Sequence, residues 1–332
     1  MDKIRIGFIG YGYWGPNLLR NFYAHAEIET VWVCDLIQKN LDKVKKQYPT
    51  IQITKNHIDL LQDPTIQVIV VAVPTPFHYE IVRQCLLAGK HVFVEKPMTE
   101  TVEQAEKIVA LARKKKLKLF VDHPFIFSSA VQKMKELIDS DELGKLYYYD
   151  SLRLNMGLIQ LKTNVITDLA PHDFSILDYL CGGKQPISIQ VSGSTHIGKK
   201  QEELAHIHLR YPKGFVANIT LSWLSPLKVR QIMLVGEKAM IRYDDTEPSE
   251  KIRVYDKGVS ILKTAENPFQ PQYRSGDIVI PKIDQTETLT NVVQACIDTI
   301  RGKKEALNDG DAGLRVVRLL SKTQKLLRRA RG

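Results

Sequence analysis

The chain has 332 residues, 44% apolar and 25% charged, and lysine plus arginine exceed aspartate plus glutamate by 47 − 37 = +10. A globular protein of two domains is the expectation, because one ordinary core does not extend over that length. No apolar run approaches the roughly 20 residues that span a bilayer, and no signal-peptide pattern opens the chain, so a cytoplasmic protein without a membrane partner is expected.

Cys34, Cys85, Cys181 and Cys296 sit in apolar segments without C-x-x-C spacing, which favours reduced core residues over a disulfide or zinc framework. The basic excess falls in separated patches at 43–46, 113–118, Lys199-Lys200 and 322–331, mostly on helices with an apolar opposite face. Solvated helix faces explain them without a nucleic-acid partner, and the positive field suits an anionic substrate.

In chain order, Ile4, Ile6, Phe8 and Ile9 form an apolar strand suited to a parallel sheet covered on both faces. Gly10, Gly12 and Gly15 then match G-x-G-x-x-G, and a helix is predicted over about 14–24. The second strand, 29–34, ends in Asp35, placed to accept hydrogen bonds from an adenosine ribose and to repel a 2′-phosphate. NAD is therefore expected over NADP. Gly10, Tyr11, Gly12, Tyr13, Trp14, Gly15 and Asp35 are the first cofactor-binding candidates.

Further strands are predicted at 51–54, 68–73, 91–94 and 117–121, alternating with helices to about 48 and at 57–61, 79–88 and 101–116. Glu103 is expected to complete a capping box with Thr101 or to serve as a first-turn acid. The strand at 68–73 ends in Pro74-Thr75-Pro76-Phe77-His78, a turn at the ligand edge of a parallel sheet. Pro74, Thr75 and His78 are candidates to line the cofactor, with His78 either catalytic or a helix-opening residue. The strand at 91–94 delivers Glu95-Lys96-Pro97 to the same edge, where Lys96 is either a surface ammonium or a functional group.

Asp122-His123-Pro124 marks the expected boundary between a nucleotide-binding domain, 1–123, and a second domain, 124–332. Beyond it come a helix near 129–140, a long strand at 146–154 and a helix from about 167 to 180. Strand candidates follow at 187–195, 206–211, 215–221, 229–235 and 240–243, which predicts an α+β domain on a mostly antiparallel sheet. Residues 274–281 read as a polar connection, and amphipathic helices at 287–300 and 312–329 finish the chain. On the 167–180 helix, spacing i, i+4 puts Asp168 and His172 on one side, with Pro171 favouring the first turn. Asp168 has the alternative reading of a helix cap, and no third ligand at familiar spacing accompanies the pair, so no metal is expected.

Three signatures thus stand in order: Gly10-Tyr-Gly-Tyr-Trp-Gly15, Glu95-Lys96-Pro97 and Asp168-x-x-x-His172-Asp173. Over essentially its whole length the chain resembles the glucose-fructose oxidoreductase and inositol dehydrogenase family, Gfo/Idh/MocA. The resemblance implies NAD(P)-dependent redox chemistry at a sugar or cyclitol hydroxyl, with Lys96, Asp168 and His172 as the polar active-site group and Glu95 and Lys96 near the cofactor. The segments Asp150-Ser-Leu-Arg153-Leu-Asn155-Met-Gly157, Asn164-Val-Ile-Thr-Asp168 and Ser275-Gly-Asp-Ile-Val-Ile-Pro-Lys282 look most like members of sugar-nucleotide pathways, which implies a UDP-linked amino sugar or uronic acid and a place in polysaccharide biosynthesis.

Arg153, Asn155 and Asn164 are then candidate substrate contacts beside Lys96, Asp168 and His172. His172 is the expected base, since an ordinary histidine titrates at about 6.5, with Lys96 on the reacting oxygen and Asp168 orienting the imidazole or gripping a sugar hydroxyl. A homodimer or homotetramer is expected through the exposed sheet face, as in related proteins. The competing readings are a dehydrogenase of a free sugar or inositol and an NAD(H)-binding sensor without turnover.

Overall fold

In the computed structural model, residues 2–157, 159, 163–197, 201–262 and 269–330 are described; Lys199, Lys200 and Arg331 of the basic patches lie outside them. The apolar runs become strands and the amphipathic runs helices: β1 (Ile4–Ile9), α1 (Gly15–Ala24), β2 (Ile28–Cys34), α2 (Gln38–Gln47), β3 (Gln52–Thr54), α3 (Ile58–Gln62), β4 (Val68–Val71), α4 (His78–Leu87), β5 (His91–Val94), α5 (Val102–Lys115) and β6 (Leu119–Val121). The six strands are parallel in the order β3-β2-β1-β4-β5-β6. That is the doubly wound order, whose reversal beside β1 leaves a crevice at the carboxyl ends.

Helices cover both faces, so the strand centres are apolar throughout, with Phe8, Val33, Val70 and Phe93 wholly buried. Phe22 of α1 sets its ring edge-on to Phe8 and Phe93, at centroid distances of 5.7 and 5.5 Å. Each such pair adds about 0.5–1.5 kcal/mol beyond area burial and pins α1 over the sheet. At α5 the capping box is made by Thr101 with Gln104, while Glu103 pairs with Lys107. Only the N3 side chain reaches back to the cap, and Glu103 is one residue short of N3.

The chain divides into two compact units, one running to Ser128 and adding Thr286–Arg318, the other comprising Ser129–Gln285 and the residues from Leu319 on. This differs from a single cut at residue 123. The added segment carries α8 (Thr288–Ile300) and the start of α9 (Gly310–Ala330). Glu287 takes both terminal nitrogens of Arg20 at 2.9 and 2.6 Å, Asn308 Nδ2 donates to Val121 O at 2.8 Å, and Gly313 packs on Val121 and Met98.

The second unit holds α6 (Ser129–Asp139), β7 (Leu146–Met156), α7 (Val165–Leu180), β8 (Ser188–Ser194), β9 (Leu204–Arg210), β10 (Val216–Ser222), β11 (Leu224–Gly236), β12 (Met240–Asp244), β13 (Ile252–Leu262) and β14 (Gln270–Val279). They form one eight-stranded sheet, β14-β13-β12-β11-β7-β10-β9-β8, antiparallel except where β7 runs parallel to β10. Tyr149, Ser151 and Arg153 of β7 are buried on the face that α7 covers, whereas Leu152 and Met156 of β7 and Met233 of β11 are exposed. The expected polar connection at 274–281 is instead largely β14, paired along β13 from Gln270↔Leu262 to Val279↔Val254. Every residue of β14 is exposed, so no buried face imposed the period-2 pattern that announces a strand.

Candidate active site

The cradle of the first unit follows from register. Ile9 is level with Cys34 and with Val71, Val71 with Val94, and Val94 with Val121. The next residue on each strand leaves the sheet at the same edge: Gly10, Asp35, Ala72, Glu95 and Asp122.

At Gly10 the backbone has φ +101°, and a Cβ would stand 2.4 Å from Ala72 O; at Gly15 it would stand 2.6 Å from Gly10 O. Only glycine permits those two approaches. A Cβ on Gly12 would meet nothing within 4 Å, so the crest of the turn is open. Trp14 is the N-cap residue of α1 and Pro16 opens its first turn, which puts the positive end of the helix dipole at that crest. Tyr11 is buried and Tyr13 is 87% exposed.

Asp35 accepts from Tyr11 N through Oδ2 at 2.7 Å and from Ile37 N through Oδ1 at 2.8 Å. A carboxylate oxygen has a second lone pair, so both can also accept ribose hydroxyls. The open crest, the helix terminus and the braced carboxylate fit the adenosine and pyrophosphate of a dinucleotide. Pro74 and Thr75 begin a single 3₁₀ turn, Thr75–Phe77, at the exit of β4.

His78 opens α4, the second of its two expected readings. Its ring is buried, with Nδ1 3.0 Å from Pro97 O and Nε2 2.8 Å from Val73 O. Burial holds its pKa below the ordinary value, against the pull of those carbonyls. The neutral ring has one N–H to donate to either carbonyl, and both nitrogens face the chain itself, which makes His78 a brace between the β4 exit and the Lys96-Pro97 turn.

Around Lys96 lie groups that the motifs did not announce. Asp122 is 1% exposed and accepts from Trp14 Nε1 at 2.7 Å. Burial pushes its carboxyl up to about 6, against the pull of the Trp14 bond. Glu95 is held well above the carboxylate range, first by burial and then by the Asp122 charge. The buried His123 ring has no hydrogen-bond partner among the described residues, and burial together with the Lys96 ammonium pulls its pKa down to about 3.

In the second unit Asn164 caps α7, its Oδ1 taking Thr167 N at 3.0 Å while Nδ2 donates to Glu202 and Gln324. This overturns its role as a substrate contact: at 7% exposure its amide already has its partners. The helix starts at Val165, so Asp168 belongs to its first turn and Pro171 lies inside it rather than opening it.

Asp168 and His172 are half-buried on the same helical side, and Trp223 Nε1 donates to Asp168 Oδ2 at 3.2 Å. Trp223 was not recognised from the sequence. It also sets the β7 exit, since a Cβ on Gly157 would stand 2.6 Å from its ring.

Arg153 likewise departs from expectation. Its Nε donates to Asp173 Oδ2 at 2.7 Å, both side chains are buried, and Ser151 and Tyr149 donate to Asp173 Oδ1. Burial lowers the guanidinium pKa, but the Asp173 charge and hydrogen bond outweigh it and leave the pKa raised. It is an internal counter-ion. Asn155 keeps a buried Oδ1 that no donor reaches among the described residues, which suits an incoming donor.

A parallel sheet in doubly wound order, with a glycine turn at its reversal and an acid ending the second strand, defines a dinucleotide-binding protein. The chain belongs to the Gfo/Idh/MocA family: residues 4–123 match its oxidoreductase domain with NAD-binding Rossmann fold, and residues 131–242 its C-terminal domain. The resemblance drawn from the three motifs therefore holds.

An uncharacterized oxidoreductase, YdgJ of Escherichia coli, is 30% identical over 223 residues, 64% of this chain and 63% of YdgJ, so the alignment spans under two thirds of that relative. Myo-inositol 2-dehydrogenase of Thermotoga maritima is 24% identical over 77% of this chain and 79% of its own. Among solved structures, UDP-N-acetylglucosamine 3-dehydrogenase GnnA of Acidithiobacillus ferrooxidans shares the fold with a TM-score of 0.82 at 20% identity, over 98% of both chains. Among the described residues no helix is long and apolar enough to cross a membrane.

Proposed function

We propose that the protein is an NAD-dependent oxidoreductase that moves a hydride between nicotinamide and a secondary alcohol or ketone of a sugar, the sugar being a UDP-linked amino sugar or uronic acid. The observation that carries this reading is the common edge of the first sheet. There the glycine turn, the braced Asp35 carboxylate and Lys96 all emerge from strands held in register. When bound, the nicotinamide supplies the acceptor or donor of the hydride.

The residues do the rest. As the carbinol C–H leaves with its electron pair, the hydroxyl proton passes to His172, Lys96 stabilises the developing alkoxide, and Asp168, held by Trp223, orients the imidazole or a sugar hydroxyl. Asn155 supplies a further acceptor. The nucleotide-linked substrate is supported by the sugar-nucleotide motifs, by the fold shared with GnnA and by the net charge of +10, which favours a diphosphate. Asp35 supports NAD over NADP, because a 2′-phosphate would stand against its charge.

The exposed apolar side chains Leu152, Met156, Leu227 and Met233 on β7 and β11 support pairing of copies as a homodimer or homotetramer. Light scattering at micromolar concentration tests this; a monomeric mass would refute it.

The second reading, a dehydrogenase of inositol or a free sugar, is favoured by the likeness to myo-inositol 2-dehydrogenase. One panel separates the readings: protein and NAD with UDP-linked amino sugars, uronic acids, free sugars and inositol, followed by the near-ultraviolet absorbance of reduced nicotinamide. Turnover only on nucleotide-linked sugars is the expected result. Turnover on inositol or free sugars moves the assignment to the second reading, and cofactor binding without turnover would make the protein a sensor. Tighter binding of NADPH than NADH would overturn the cofactor preference.

A further inference from the structure

Behind Lys96 lies a chain of polar groups that the chemistry above does not use. Val94 and Val121 are in register, so Glu95 and Asp122 leave adjacent strands side by side, close enough for the charge of each to act on the other. Trp14 Nε1 occupies Asp122 Oδ2. The other oxygen, Oδ1, is buried, and no N–H or hydroxyl donates to it among the described residues. Two ionised carboxylates side by side in a buried setting repel strongly, and a buried acceptor left without a donor is destabilising. A single proton on Glu95 removes both penalties, because it turns the repulsion into a hydrogen bond and gives Oδ1 its donor.

Among the described residues, the other titratable groups facing the pair are Lys96 at the same strand end and the Cys296 thiol from α8. His123, next along the chain, faces Lys96. The Cys296 thiol is driven upward by burial and by Asp122 and stays protonated. That leaves one negative charge on the carboxyl pair against one positive charge on Lys96.

We infer that Glu95 and Asp122 share one proton and, with Trp14, form the positioning group for Lys96, linking it to the glycine turn that cradles the cofactor. This rests on the reading of Lys96 as the group that meets the reacting oxygen. A doubly ionised pair would draw the ammonium inward as its counter-ion, and a fully protonated pair would leave it without one. The singly protonated pair balances its charge. Trp14 completes the link, since the N-cap residue of α1, where a dinucleotide's phosphates would be held, is also the donor that holds Asp122.

The test uses the intrinsic tryptophan emission of the cofactor-free protein between pH 4.5 and 8, where the Trp14 indole reports the charge on Asp122. The wild type is expected to show a transition centred at about pH 6, as the pair takes up its second proton. Asp122→Asn, which keeps an acceptor for Trp14, removes the transition, as does Trp14→Phe. Glu95→Gln, which keeps a neutral donor toward Oδ1, retains it.

In turnover, Asp122→Asn lowers kcat by about tenfold while the dissociation constant for NADH stays within about twofold, the split expected of a positioning role. A wild-type emission without the transition, or a transition that survives in Asp122→Asn, overturns the inference. The emission needs neither substrate nor turnover. A protein that shows the transition but oxidises nothing in the substrate panel refutes the catalytic reading alone.

Discussion

The edge of the first sheet and the interior of the second unit carry their polar residues in different ways. At the first edge, Gly10, Asp35, Glu95 and Lys96 all stand at strand ends brought level by the parallel register. In the second unit, Arg153 on β7 and Asn164 ahead of α7 look like substrate contacts in sequence but are spent internally, on Asp173 and on the α7 cap. A parallel strand followed by a helix must deliver its next residue to the ligand edge. A polar residue within an antiparallel strand faces solvent or core according to a register that its own sequence does not carry.

The largest effect at the first edge is expected at Lys96. Lys96→Met is expected to lower turnover by about 10²–10⁴-fold, the usual worth of a positioned proton-transfer or oxyanion group, with NADH binding intact. Steady-state kinetics beside a cofactor titration checks this, and near-wild-type turnover would return Lys96 to an ordinary loop lysine.

Arg153→Met should act on the other side of the comparison, on stability. It strands the buried Asp173 charge and should cost about 3–5 kcal/mol, read from urea unfolding. If unfolding is unchanged while KM for the substrate rises, Arg153 is a substrate contact after all.

Asn164→Ala should cost about 0.5–2 kcal/mol for the lost cap of α7, again without a specific effect on KM. The smallest effect on folding is expected at Gly12→Ala. The added Cβ meets nothing, so the midpoint of unfolding should stay put while NADH binding weakens, whereas Gly10→Ala runs into Ala72 O and should destabilise the fold itself. Equal loss of stability in both glycine variants would show that the crest of the turn is not open.

Much of the first unit was legible because each element carries its own local cause. Continuous apolar runs form parallel strands, the glycines form the turn, and Thr101 caps α5, although its partner is Gln104 and not Glu103. The return of 286–318 to that unit was not legible, since it depends on contacts such as Arg20 with Glu287 across more than 260 residues of chain. Strand β14 was missed for the opposite reason: it is exposed along its length, so burial wrote no period into it.

The sequence by itself therefore determined the dinucleotide cradle, the family and the residue types available for chemistry, because these rest on short-range geometry and on motifs at strand ends. Tertiary structure alone decided which polar side chains are already spent. Asp173 takes Arg153, Glu202 and Gln324 hold Asn164, two carbonyls hold His78, Trp223 holds Asp168, and Asp122 joins Glu95 to Trp14. The physical reason is that a buried polar group must find its partner wherever the fold brings one, and that partner is written far away in the chain.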